Sequence, residues 1–115
     1  MKAMIAVVVG CGFLAASAPV AAQDKVEQGG ALFTSQKCVL CHSVAGKGNK
    51  KGALDDVGAK LKADEIRAWL TNPDAMREKT GATRTPAMKD PKLAKDQVDA
   101  LVAFLSVQKG AHADR

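Results

Sequence analysis

Cys38-Val39-Leu40-Cys41-His42 gathers two thiols and an imidazole within five consecutive residues. Three chemistries use such a group. A Cys-x-x-Cys pair can supply half of a tetrahedral zinc site, but zinc needs four ligands. Beyond the two thiols, the stretch after residue 22 contains only His42 and His112. A Cys-x-x-Cys pair can also cycle between dithiol and disulfide, but no βαβ pattern surrounds this one. The third chemistry is covalent attachment of haem. Each thiol adds across one vinyl group, and the histidine that follows presents its imidazole to the iron from the same side. That reading uses all three residues, and it makes Cys38 and Cys41 the attachment points of one haem c and His42 an iron ligand.

The elements that must position these residues are few. Helical periodicity runs over residues 24–37, with Val26, Gly30 and Phe33 on one side and Asp24 and Glu27 near the amino end. A second helix is expected over residues 62–71, with Ile66, Trp69 and Leu70 recurring at helical spacing, Asp64 as a cap and Pro73 as a stop. A third is expected over residues 93–109, where Val98, Leu101, Val102 and Leu105 form the stripe, Phe104 widens it and Gly110 suits the end. Between them lie a polar, turn-rich stretch, residues 45–52, and a longer loop, residues 73–91, with three prolines and Gly81. No alternating strand pattern of useful length appears. Loops this long usually have a functional reason.

Composition narrows the class. The chain has 115 residues, 47% of them hydrophobic, with charges of both signs interspersed, which excludes a disordered tail. Three Cys exclude a disulfide-dense scaffold. Three Phe, one Trp and no Tyr leave few large side chains for a core, so a bound group is expected to help fill it. Lys2 followed by an uncharged run over residues 3–22, ending in Val20-Ala21-Ala22, reads as a secretory signal peptide cleaved before Gln23. The domain reading is therefore residues 1–22 as leader and residues 23–115 as one monohaem domain. An uncleaved anchor is the alternative, since twenty uncharged residues can span a bilayer. Val8-Val9-Gly10-Cys11 also resembles a bacterial lipobox.

Several segments together resemble the small bacterial class I cytochromes c, over nearly all of the chain after the leader. Gly29-Gly30-x-x-Phe33 is similar to the family's amino-terminal helix, whose glycine permits close crossing with the carboxy-terminal helix. Leu101-x-x-Phe104-Leu105 resembles the partner motif, and Trp69-Leu70-x-Asn72-Pro73 the helix whose aromatic residue lines the haem pocket. Pro86-Ala87-Met88 resembles the loop that brings the second axial ligand. The resemblance implies an all-α cytochrome c-like fold, with three to four short helices and long loops wrapped around one covalently bound haem. It implies Cys38, Cys41, His42, Met88, Trp69 and Leu54 as cofactor-binding residues, with His42 and Met88 on the metal. The family often has Gly-Pro-x-Leu where this chain has Gly52-Ala53-Leu54, so the Ala53 carbonyl is expected to accept from the ligating imidazole.

Met88 lies 46 residues after His42, in the proline-bearing loop that the resemblance requires. Met76 follows Pro73 closely and reads as a packing residue, and His112 reads as a solvated histidine in a polar tail. A thioether ligand favours reduced iron, whereas a second imidazole would lower the potential. Trp69 reads either as the largest core residue or as a donor to a haem propionate. Arg84 reads as a propionate neutraliser or as a solvated loop arginine.

The formal charge is +5 for the whole chain and +4 once Lys2 is removed. Lys47, Lys50 and Lys51 crowd one loop, and Lys37, Lys89 and Lys92 lie near the attachment and Met88 segments. Such a rim would steer the protein to redox partners with an acidic docking face. No aromatic residues interleave the lysines, which argues against nucleic acid. The expected function is a periplasmic one-electron carrier, not an enzyme, with no small-molecule substrate and with membrane contact only through a retained leader. The alternatives are an electron-entry haem subunit of a larger oxidoreductase complex, and a gas-sensing or catalytic haem protein with a labile sixth ligand.

Overall fold

The computed structural model describes residues 10, 12 and 20–110. The lipobox cysteine Cys11, the tail histidine His112 and most of the expected leader lie outside the described residues. Among the described residues, five α-helices carry the fold: α1 (Val20–Ser35), α2 (Val57–Lys60), α3 (Ala63–Thr71), α4 (Pro73–Thr80) and α5 (Lys95–Ser106). A two-stranded antiparallel hairpin, β1 (Ser43–Val44) with β2 (Lys47–Gly48), and two 3₁₀ turns, Cys38–Leu40 and Lys50–Gly52, fill the span between α1 and α2. Among the described residues no helix is long and apolar enough to cross a membrane.

The frame is the crossing of α1 and α5. Gly29 is buried on α1, and any Cβ there would run into the Ala100 carbonyl and the Phe104 Cβ on α5. The backbones therefore approach more closely than any side chain would allow. One turn on, the rings of Phe33 and Phe104 meet with centroids 5.8 Å apart and planes tilted by 47°. Such offset aromatic pairs add to the burial of their area. Leu101 has no exposure at all, and Val98, Val102 and Leu105 fill the rest of the α5 stripe, as its period predicts. Ile66 and Leu70 bring α3 onto the same core, and Arg67 pairs with Asp99 of α5 at 2.7 Å.

The helix count and several ends differ from the sequence expectation. The loop expected over residues 73–91 begins with a helix, α4. Pro73 starts this helix rather than merely stopping its predecessor: it stands in the first turn, where a missing N–H costs no hydrogen bond, and Asn72 Oδ1 accepts from the Ala75 N–H at 3.3 Å. Gly81, at φ 69°, closes α4 in the left-handed conformation. Met76 is buried on α4, in keeping with a packing role. The cap of α3 is Lys62, not Asp64: the Glu65 carboxylate accepts the Lys62 N–H at 3.1 Å, which leaves Asp64 in the first turn. Helix α1 already includes Val20 to Gln23, so Asp24 and Glu27 lie beyond its first turn. Helix α5 ends at Ser106, short of Gly110, whose N–H instead donates to Asp55 O at 2.8 Å.

Candidate functional site

The segment Cys38–His42 is wound into a tight turn directly after α1. The His42 and Cys41 N–H groups both donate to Cys38 O, at 2.9 and 3.2 Å, and Leu40 N–H donates to Lys37 O at 3.1 Å. Lys37 adopts φ 61°, reversing the chain between α1 and the turn. Cys38 and Cys41 are free thiols, the first half-buried and the second exposed. Burial is the main influence that pushes the Cys38 thiol above its ordinary pKa, with the neighbouring Cys41 adding to it and a backbone hydrogen bond opposing it. A thiol held protonated is a poor partner for disulfide exchange, which needs the thiolate.

The loop that follows folds back beneath this turn. The hairpin β1–β2 reverses it, and the Asn49 N–H lies 3.0 Å from both Val39 O and His42 O. The Asn49 side chain also donates to Leu40 O at 3.2 Å and accepts from the Lys51 N–H at 3.0 Å. This stitching brings Gly52 to the imidazole: His42 Nδ1 donates to Gly52 O at 3.0 Å. The acceptor is therefore Gly52 rather than the expected Ala53, because Ser43 bridges Ala53 in parallel and Leu54 N–H donates to Ser43 O at 2.8 Å, which fixes that stretch one residue out of the expected register.

A carbonyl can only accept, so the proton of neutral His42 belongs on Nδ1 and the Nε2 lone pair is left free for a metal. Burial pulls the His42 pKa below its ordinary value, the Gly52 carbonyl opposes that, and the Arg84 charge adds to the lowering. The imidazole is thus kept in the neutral form that ligation requires. Two free thiols on one turn and an oriented imidazole next to them fit covalent haem c, with Cys38 and Cys41 as attachment points and His42 as ligand. Among the described residues no group of three His, Cys, Asp or Glu side chains is arranged to hold a metal ion by itself.

The other expected site residues come from three elements. Leu54 and Met88 are half-buried and pack, with Cys38, against the same apolar core. Met88 lies in the segment that links α4 to α5. Trp69 is half-buried on α3 and lies outside the buried cluster, so it is not the centre of the core. Arg84 is an exposed loop residue whose Nη2 donates to Cys41 O at 2.7 Å. Asn49 and Gly52 are the site residues that sequence reasoning missed. Each acts through a main-chain group or a short amide within a lysine- and glycine-rich loop, where residue type alone carries no signal.

No curated protein and no solved structure matches the chain. Residues 26–109 match the family model described as Cytochrome c, which covers the attachment turn, the Met88 segment and both helices of the α1–α5 crossing. With that span, the helical frame and the Cys-x-x-Cys-His turn in agreement, the chain belongs to the class I cytochrome c family of haem-based electron carriers.

Proposed function

We propose that this protein is a periplasmic one-electron carrier whose haem c is ligated by His42 and Met88 and whose partners are redox proteins with acidic docking faces. The observation that carries the reading is the attachment turn itself, where two thiols flank an imidazole already oriented through Nδ1 by Gly52 O. The haem supplies a one-electron couple when bound; the chain's residues hold it and tune it. Cys38 and Cys41 anchor it, His42 supplies one ligand, and the Met88 thioether, half-buried against the core, supplies the other and raises the potential. A saturated ligand set leaves no position for a substrate, which supports a carrier rather than an enzyme. The Lys2 start and the apolar stretch after it support export, and the family's members typically work outside the cytoplasm.

Leu40 supports the docking reading. It is a large apolar side chain with 67% exposure, on the attachment turn between exposed Lys37 and the exposed lysines 47, 50 and 51. An exposed apolar side chain on a turn flanked in sequence by exposed lysines fits a partner whose contact face carries carboxylates.

The test is an optical spectrum of the exported protein, oxidised and then reduced, together with that of Met88→Ala. The wild-type ferric protein should show the weak far-red band of methionine-bound haem, and carbon monoxide should leave its reduced spectrum unchanged. Met88→Ala should lose the band and keep the haem covalently attached. A wild-type protein without the band that binds carbon monoxide would overturn the Met88 assignment and favour a labile sixth position.

A further inference from the structure

The segment between α4 and α5 has to hold Met88, yet it contains no helix or strand over residues 81–94. Its polar ties to the rest of the molecule are correspondingly few. Ala82 exchanges hydrogen bonds with Arg77 of α4, its N–H to Arg77 O and its carbonyl accepting Arg77 Nε, both at 3.2 Å. Lys92 N–H turns back to Asp90 Oδ1 at 2.8 Å, within the segment. Among the described residues, the one hydrogen bond that joins residues 83–91 to another part of the chain is Arg84 Nη2 to Cys41 O, across 43 residues of sequence. The guanidinium reaches that carbonyl through a gap left by Gly52, since a Cβ at this position would collide with Arg84 Nη1 and with Cys41 O. The same Gly52 presents its carbonyl to His42 Nδ1.

We propose that Arg84 is a positioning residue that fastens the Met88 segment to the imidazole side of the site, with Gly52 as its socket. The inference rests on the reading of Met88 as a ligand for its functional consequence, but not for the tether itself. One residue on the Met88 side and one glycine on the imidazole side couple the two halves of the ligand set: the backbone that bears Cys41 and His42 also fixes where the chain leading to Met88 can lie. The guanidinium is suited to this because its planar fork of donors keeps a defined orientation on a carbonyl, and a lysine ammonium at the same position would not reproduce it. A hydrogen bond from a charged donor, partly open to water, accounts for about a tenfold change in the opening equilibrium of the segment.

The experiment compares the haem-loaded wild type with Arg84→Ala, Arg84→Gln and Gly52→Ala. Amide hydrogen exchange over residues 82–92 and the rate of cyanide binding to the ferric haem report opening of the segment, and the far-ultraviolet helix signal reports the frame. Arg84 is exposed and outside the helices, so the frame should persist. The proposal expects exchange and cyanide binding to rise about tenfold in Arg84→Ala, with a smaller rise in Arg84→Gln, which keeps a neutral donor. Gly52→Ala should raise both at least as far as Arg84→Ala does, since a Cβ at this position displaces the guanidinium and also presses on Cys41 O, and adding Arg84→Ala to it should bring no further rise, because the tether is already broken. Unchanged exchange in a folded Arg84→Ala protein would overturn the tether. A wild type that lacks the methionine band would instead overturn the ligand reading, and the exchange result would still decide the tether.

Discussion

At the scale of single residues, the placement of one proton organises the site. His42 Nδ1 has a carbonyl partner 3.0 Å away, so the nitrogen that remains is a lone-pair donor. Ser106 gives the opposite case. Its Oγ is buried at the end of α5 and, among the described residues, has no hydrogen-bond partner. A buried hydroxyl without a partner loses its water without compensation, at a cost of about 1–3 kcal/mol. Ser106→Ala removes that cost along with one small atom. The substitution should leave stability unchanged or raise it by up to about 1 kcal/mol, read as an upward shift of the denaturant midpoint at constant slope. A clear fall in the midpoint would mean that the hydroxyl is bonded in solution.

At the scale of elements, α4 depends on its first residue and a half turn of capping. Asn72 ends α3, with its N–H on Ala68 O at 2.8 Å, and caps α4 through its side chain. Asn72→Ala should cost about 1 kcal/mol, the usual loss for an N-cap amide; equal thermal midpoints for the variant and wild type would refute the cap. The expected loop over residues 73–91 missed α4 because Pro73 carries two messages: a helix cannot run through it, and one can begin at it. Only the carbonyl and side-chain partners of Asn72 distinguish them. The amphipathic stripe of α5 was legible because its meaning is periodic and local to one strip of sequence, whereas the close crossing on α1 was expected only from the family resemblance and falls at Gly29 rather than at Gly30. The Cys-x-x-Cys-His motif was legible because five consecutive residues carry the whole pattern. The Gly52 acceptor was not, because it depends on the register of a hairpin only two residues deep on each strand.

The α3–α5 contact adds a pH dependence at this scale. Asp99 accepts from Arg67 at 2.7 Å, and that hydrogen bond, with smaller help from Lys95 at 3.4 Å, holds its carboxyl below the usual carboxylate range. A native pKa below the unfolded one means that the pair stabilises the fold above the ordinary carboxylate range. The contribution is lost as pH falls through the depressed native value. Asp99→Asn should therefore lower the thermal midpoint near neutral pH and flatten its decline in acid, so that variant and wild type converge at the lowest pH. Parallel curves would show that the carboxylate contributes nothing specific.

For the whole molecule the governing quantity is where the charge lies, not how much there is. The formal balance of +5 is modest for 115 residues, and haem propionates would lower it further. Yet Lys37, Lys47, Lys50 and Lys51 are all exposed around the attachment turn, while the acids Asp96 and Asp99 belong to α5, within the frame. These lysines, under the docking reading, would present the turn first to an acidic partner. Under the docking reading, association with an acidic redox protein should slow steeply as salt rises, because the Debye length falls from about 10 Å at 0.1 M to about 3 Å at 1 M. Lys50→Glu with Lys51→Glu should slow it further at low salt and weaken its dependence on salt, whereas Lys60→Glu, on α2 and already paired with Asp56 at 3.1 Å, should change it little. Stopped-flow electron transfer across a salt series separates the two. If Lys60→Glu slows association about half as much as the double reversal on a logarithmic scale, in proportion to its half as large change in charge, only total charge matters and the attachment turn is not the docking face. If the loop pair alone acts, electrons leave through the side of the molecule where Cys38 and Cys41 hold the haem.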